Sequence, residues 1–159
     1  MKGRSRFRLL TLIHKPTKTV TMKLLILKLA LVVTTTFSYA QNSGQTITVT
    51  IDNVISDDGK VLLALHTKET FMKGNGIAAA ESYITDGKIT VSFNNVVPGE
   101  YAILVLHDAN DNGRMDYQEN GMPLESYGTS NNPMFYGPPE YEEAKFEVTN
   151  KDLDLKIKF

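Results

Sequence analysis

The sequence predicts an all-β chain, an antiparallel β-sandwich of about seven strands (immunoglobulin-like or transthyretin-like) with a long Asp/Asn/Gly-rich loop. Three observations lead there. Several segments alternate apolar and polar residues with period two. Two others are apolar on both faces, as strands at the centre of a sheet are. Turn residues separate most of these segments, and nothing after residue 40 sustains helical spacing.

From Gln45 to Asp52, Ile47, Val49 and Ile51 point one way and Thr46, Thr48 and Thr50 the other, which is a half-buried strand. Asp57-Asp58-Gly59 is a turn, and Lys60 to Thr67 (KVLLALHT) is a two-sided apolar strand. Residues 67–87 carry less pattern: a single helical turn at Lys68–Met72 and a short edge strand at Ser82–Thr85 are expected. Ile89, Val91 and Phe93 then alternate with Thr90, Ser92 and Asn94. Pro98-Gly99 has the composition of the centre of a type II turn, and Glu100 to Asp108 (EYAILVLHD) is the second two-sided strand. Little regular structure is expected from Asp108 to Glu143. Ala144, Phe146 and Val148 mark one face of a further strand, Asn150-Lys151-Asp152 turns, and Leu153, Leu155, Ile157 and Phe159 alternate with Asp154, Lys156 and Lys158. Strands of this kind bury their apolar faces as two packed sheets.

The formal charge of -1 averages two unlike parts. Residues 1–40 hold eight of the 17 Lys+Arg and none of the 18 Asp+Glu, so the remaining chain carries a charge of -9. An acidic body argues against nucleic acid and against anionic membrane surfaces as partners. The absence of cysteine excludes disulfides, thiolate metal sites, a cysteine nucleophile and a lipidated N-terminal cysteine.

Met22 opens MKLLILKLALVVTTTFSYAQ, in which a short basic start, an apolar run and a small-x-Ala ending form the three parts of a secretory signal. We read residues 22–40 as a signal peptide cleaved after Ala40, which places the chain in the periplasm or outside the cell. Residues 1–21 are basic and unpatterned, and read as an early or extended start. Residues 41–159 are then a single sandwich domain with no long apolar run to span a membrane.

The second two-sided strand runs into Asp108-Ala109-Asn110-Asp111-Asn112-Gly113-Arg114-Met115-Asp116-Tyr117-Gln118-Glu119, which matches the calcium-loop pattern D-x-[DN]-x-[DN]-G-x5-E at every defined position. Calcium takes several hard oxygen ligands, and oxygen side chains at alternate positions can wrap one point. Asp108, Asn110 and Asn112 are the side-chain ligands expected, Arg114 a backbone carbonyl, and Asp116 a direct or water-mediated ligand. Glu119 closes the shell in the usual pattern. Here a strand rather than a helix leads in, so Glu125 is the alternative to Glu119. Like charges at Asp108, Asp111 and Asp116 also favour a cation among them. Beyond the loop, Tyr127, Phe135, Tyr136 and Tyr141 make either a ligand platform or a small satellite core beneath the loop.

HDANDNGRMD followed by GMPLESYGTSNN, together with the approach FNNVVPGEYAILVLHD, resembles an uncharacterised bacterial family, domain of unknown function 2141. The matching positions are His107, Asp108, Asn110, Asn112, Gly113, Asp116, Gly121, Pro123, Glu125 and Gly128, whereas Thr129 stands where an aromatic is expected. The resemblance implies a small exported sandwich protein of Gram-negative bacteria and brings no activity with it.

The expected function is a noncatalytic module, stabilised by calcium, that presents its long loop to a protein or glycan in the cell envelope. One alternative is a periplasmic enzyme in which His66 and His107 share a site with Asp108 or Glu125, through acid-base chemistry or a bound metal. Another is an envelope assembly subunit joined through sheet edges, against which the charged C-terminal strand argues.

Overall fold

A computed structural model describes residues 44–134 and 136–159; the expected start segment, the expected signal peptide and Phe135 lie outside these residues. Among the described residues, eight strands and one helical turn follow one another: β1 (Gln45–Ile51), β2 (Lys60–His66), β3 (Ala78–Tyr83), β4 (Ile89–Val96), β5 (Gly99–Asp108), β6 (Tyr127–Thr129), α1 (Tyr141–Ala144), β7 (Phe146–Val148) and β8 (Leu153–Lys156). They form the two sheets of a sandwich-like all-β fold. One sheet has the order β4-β1-β8; the other has the order β3-β2-β5-β6, with β7 also paired to β5. β2 occupies one edge of β5, so β6 (opposite Leu104–Leu106) and β7 (opposite Gly99–Tyr101) share the other edge end to end.

The alternation in the sequence sets which side chains meet between the sheets. Ile47, Val49 and Ile51 of β1 and Val61, Leu63 and Leu65 of β2 are almost wholly buried, and they pack with Ile103 and Val105 of β5 and Ile89 and Phe93 of β4 in one core. In β4 the alternation resets. Ile47 pairs with Phe93 but Gln45 pairs with Val96, and Asn95 takes φ 59°, a bulge that returns Val96 to the core.

Ala144 belongs to the helical turn α1 and not to the strand expected to run through Phe146 and Val148, since it packs in a separate cluster with Phe71 and Ala102, and four further features differ from the expectation. β1 and β8 run parallel, because the chain reaches β8 from β7, a strand of the opposite sheet, and not through a hairpin. β3 lies earlier than the expected Ser82–Thr85 strand. Its alanines have low strand propensity, but Ala78 and Ala80 pack inward on the core while β3 pairs with β2 along its whole length. β6 is a three-residue strand inside the region expected to be irregular. Gly99 is not at the centre of a type II turn: it lacks positive φ and opens β5 opposite Val148. The turn at Lys68–Met72 does form, with Phe71 N–H donating to the Thr67 carbonyl at 3.0 Å.

Leu63 is 2% exposed at the centre of the core. Leu63→Ala is expected to cost about 2–5 kcal/mol of stability, measured by urea unfolding followed by circular dichroism.

Candidate functional site

β5 ends at Asp108, opposite Lys60 at the start of β2, and the Asp57–Gly59 turn packs directly against this end. Gly59 has φ +64°, and a Cβ there would stand 2.0 Å from the Asp108 carbonyl oxygen, so only glycine lets the turn approach. The Asp58 carbonyl meets Nε2 of His107 at 2.9 Å. Lys60 extends from the same corner to Asp111 (2.9 Å) and Glu81 (3.1 Å). Its hydrogen bonds to Asp111 first and Glu81 second hold its ammonium above the usual lysine range.

Asp108 is fully buried. A buried carboxylate needs partners, and the loop that follows supplies them: Asn112 N–H donates to Oδ1 at 2.9 Å and Gly113 N–H to Oδ2 at 2.7 Å. Gly113, at φ +77°, makes the bend that brings these two N–H groups round. Within the bend, Asn110 Oδ1 accepts from Asn112 N–H (3.2 Å) and Asn112 Oδ1 from Arg114 N–H (3.0 Å). The Nδ2 amides of Asn110 and Asn112 both donate to Oδ2 of Asp116 at 2.7 Å. Glu125 closes the group, its Oε1 accepting from Ala109 N–H (3.0 Å) and its Oε2 from Asp116 N–H (3.2 Å).

Asp108, Asn110, Asn112, Asp116 and Glu125 are thus joined in one hydrogen-bonded knot. Arg114 is exposed, with its side-chain Nε 3.7 Å from Oδ1 of Asp116. Glu119 does not join them. After Asp116 the chain forms a hairpin and not the helix that the calcium-loop pattern usually precedes: Tyr117 bridges Pro123, Gln118 N–H donates to the Met122 carbonyl, and Leu124 N–H to the Asp116 carbonyl, each at 2.8 Å. That reversal carries Glu119 to an exposed tip and returns Glu125 beside Asp116. Among the described residues, no three His, Asp or Glu side chains converge in a metal-holding group. In this arrangement the oxygens of Asp108 and Oδ2 of Asp116 accept hydrogen bonds from amide N–H groups of the loop. The knot's chemistry nevertheless suits a hard cation, since two amide oxygens and three carboxylates lie within it.

The knot also roots one wall of a cavity of about 1110 Å³ on the outer face of the β3-β2-β5-β6 sheet. Leu62 and Ala64 of β2 and Leu104 and Leu106 of β5 form the floor, and Met115, Tyr117 and Met122 of the hairpin stand along one side. Tyr127 and Tyr136 also line it, as the platform reading expects. Tyr141 does not; it packs edge-on against Phe71, with ring centroids 5.6 Å apart, in a satellite core with Ala102 and Ala144. Of the described aromatics, Tyr127 and Tyr136 stand at the cavity and Tyr141 in the satellite core. The floor was not anticipated from the sequence, although its signal was present. KVLLALH and EYAILVLHD each have a second apolar face, which the sandwich core cannot cover.

His66 and His107 do not form the shared site that the enzyme reading requires. In the β2–β5 pairing, His66 faces Ala102 while His107 faces Val61, five residues from His66 along β2, a separation of roughly 17 Å. His66 is fully buried on the cavity side of β2. Its Nδ1 lies 2.8 Å from the Thr70 carbonyl, which can only accept, so Nδ1 carries the ring proton and Nε2 is a lone-pair acceptor. That Nε2 is buried with no hydrogen-bond partner, a defect costing about 1–3 kcal/mol. Burial pushes the pKa of His66 down, opposed by the Thr70 contact.

Comparison with protein families matches residues 49–156 to the family described as an uncharacterized protein conserved in bacteria, DUF2141. The chain belongs to this family. The DUF2141 match contains the whole Asp108–Glu125 knot and the cavity floor. Comparisons with curated proteins and with solved structures give no match.

Two measurements follow from this geometry. Glu125→Ala removes the acceptor of two backbone N–H groups and is expected to cost about 1–3 kcal/mol in urea unfolding, whereas Glu119→Ala changes stability by less than about 0.5 kcal/mol. For His66, the folded pKa lies below the unfolded one, so acid drives protonation of the unfolded chain first. Its contribution is present above the unfolded pKa of about 6.5 and is lost as pH falls below it. The urea midpoint of the wild type is therefore expected to fall more between about pH 7.5 and about pH 5.5 than that of His66→Phe.

Proposed function

We propose that this DUF2141 protein is an exported, noncatalytic binding module of the cell envelope whose long loop is stiffened by calcium and forms one wall of a binding cleft. The reading of export rests on the basic, apolar and small-residue parts of residues 22–40, with cleavage near Ala40 delivering the chain to the periplasm or beyond. Asp108, Asn110, Asn112, Asp116 and Glu125 would hold the ion, with Arg114 offering its carbonyl. The ion supplies positive charge at the acidic loop and fixes its shape, and takes part in no reaction step.

The observation that carries this reading is the continuity between knot and cleft. The residues that satisfy buried Asp108 lead without a break into Met115, Tyr117 and Met122 of the cleft wall. Ordering the first orders the second. Extracellular calcium modules bind with dissociation constants of about 0.1–1 mM, so a loop of this modest charge suits that compartment.

Calcium at about 5 mM is expected to raise the thermal midpoint by several degrees, as binding to the folded state alone requires. Asp108→Ala is expected to abolish the rise, and magnesium to give a smaller one. Differential scanning calorimetry measures all three, and an unchanged wild-type midpoint in calcium contradicts the metal reading.

A further inference from the structure

We propose that the free edge of β3 is an interface between copies of this chain: two β3 strands pair antiparallel across a two-fold axis at Ala80. The inference goes beyond the binding-module reading and does not depend on calcium.

The sheet edges give the first part. β3 ends one sheet and β4 ends the other, and the turn between them at Thr85–Lys88 sets both on one side of the sandwich. Among the described residues, the backbone of β3 pairs with β2 alone. Open edges are normally blunted by lysine, proline, a bulge or a covering segment. β4 has its bulge at Asn95, and β8, at the far edge of that sheet, has Asp154 and Lys156. β3 (AAAESY) has no such device. Its register with β2 is unbroken, none of its residues takes positive φ, and its one charge, Glu81, is held by Lys60 at 3.1 Å.

Charge gives the second part. The chain after residue 40 carries a charge of -9, so copies repel one another except where charge is sparse. β3 and β4 together hold one charged residue, Glu81. This side of the sandwich is therefore where two copies approach at least electrostatic cost.

Register gives the third, and it selects a second copy as the occupant. A two-fold axis normal to the sheet keeps each face on its own side, so outward residues meet outward residues. Ile77, Ala79, Glu81 and Tyr83 are the exposed ones, with Ile77 fixed just ahead of β3 by its N–H to the Leu65 carbonyl at 2.8 Å. With Ala80 on the axis, Ile77 (51% exposed) meets Tyr83 (74% exposed) of the copy at both ends, and Glu81 meets Ala79. With Glu81 on the axis, the two carboxylates stand directly opposed, which is unfavourable. With Ala79 on the axis, Glu81 falls against Ile77 and Tyr83 passes beyond the end of the partner strand. The strand is thus complementary to itself in one register. Ala79, Ala80 and Glu81 also line the cleft, so the pair carries its two clefts side by side on one face.

The test is sedimentation velocity of the wild-type protein over about a hundredfold range of concentration, with amide hydrogen exchange at both ends of that range. A monomer–dimer equilibrium is expected. The amides of Ala78–Tyr83 are expected to exchange more slowly in the concentrated sample, and those of β8 at the same rate in both. Ala79→Glu sets a carboxylate opposite Glu81 of the copy at two places and is expected to weaken the dimer about tenfold. Ala79→Lys sets an ammonium there and is expected to keep the dimer or tighten it. The exchange comparison needs no variant, so misfolding of either one leaves the test standing. A monomer at every concentration, growth beyond the dimer, a dimer whose added protection lies outside β3, or equal loss of the dimer in both variants overturns the proposal.

Discussion

A carboxylate taken out of water must be met by donors, and in this protein that requirement falls on Asp108. It closes the central strand β5 with no exposed surface, and the two N–H groups that meet it come from the loop immediately following. The strand end and the loop are therefore one unit. Gly59 lets the neighbouring turn close over the Asp108 backbone, Lys60 ties Asp111 from the adjacent strand, and Glu125 returns from the far side of the hairpin to hold Ala109 and Asp116. Removing the anchor at Asp108 releases a segment with no regular strand of its own until Tyr127.

What that segment covers explains why it is there. The sandwich buries one face of each sheet, but β2 and β5 are apolar on both faces. At the His66–Ala102 end, Phe71, Tyr141 and Ala144 cover the second face as a satellite core. At the opposite end the loop stands off the sheet and leaves a cleft. A face that is apolar and only partly covered is a common setting for ligand binding.

Much of this was legible in the sequence. Ile47, Val49 and Ile51, and again Ile89, Val91 and Phe93, reported their strands by period two alone, since each has one face on the core. β3 was displaced because Ala78 and Ala80 earn their place by packing under β2, a tertiary effect that propensity does not carry. The parallel β1–β8 pair depends on which sheet the chain has just left, and local pattern holds no record of that. At the loop, the spacing of Asp108, Asn110, Asn112 and Asp116 identified residues that do meet. Glu119 was favoured by a pattern tuned to helical flanks, and the hairpin at Tyr117–Pro123 substitutes Glu125. Nothing in a single histidine announces that its Nε2 lacks a partner; that needed the position of the Thr70 carbonyl.

Amide hydrogen exchange at Asn112 and Gly113, read by NMR in the wild type and in Asp108→Ala, tests the anchor most directly. The account predicts that both amides are strongly protected in the wild type, that calcium slows them further, and that the substitution brings them close to the rate of an unstructured chain while core amides such as those of Leu63 and Ile103 stay protected. Unprotected Asn112 and Gly113 amides in the wild type, with or without calcium, would contradict it.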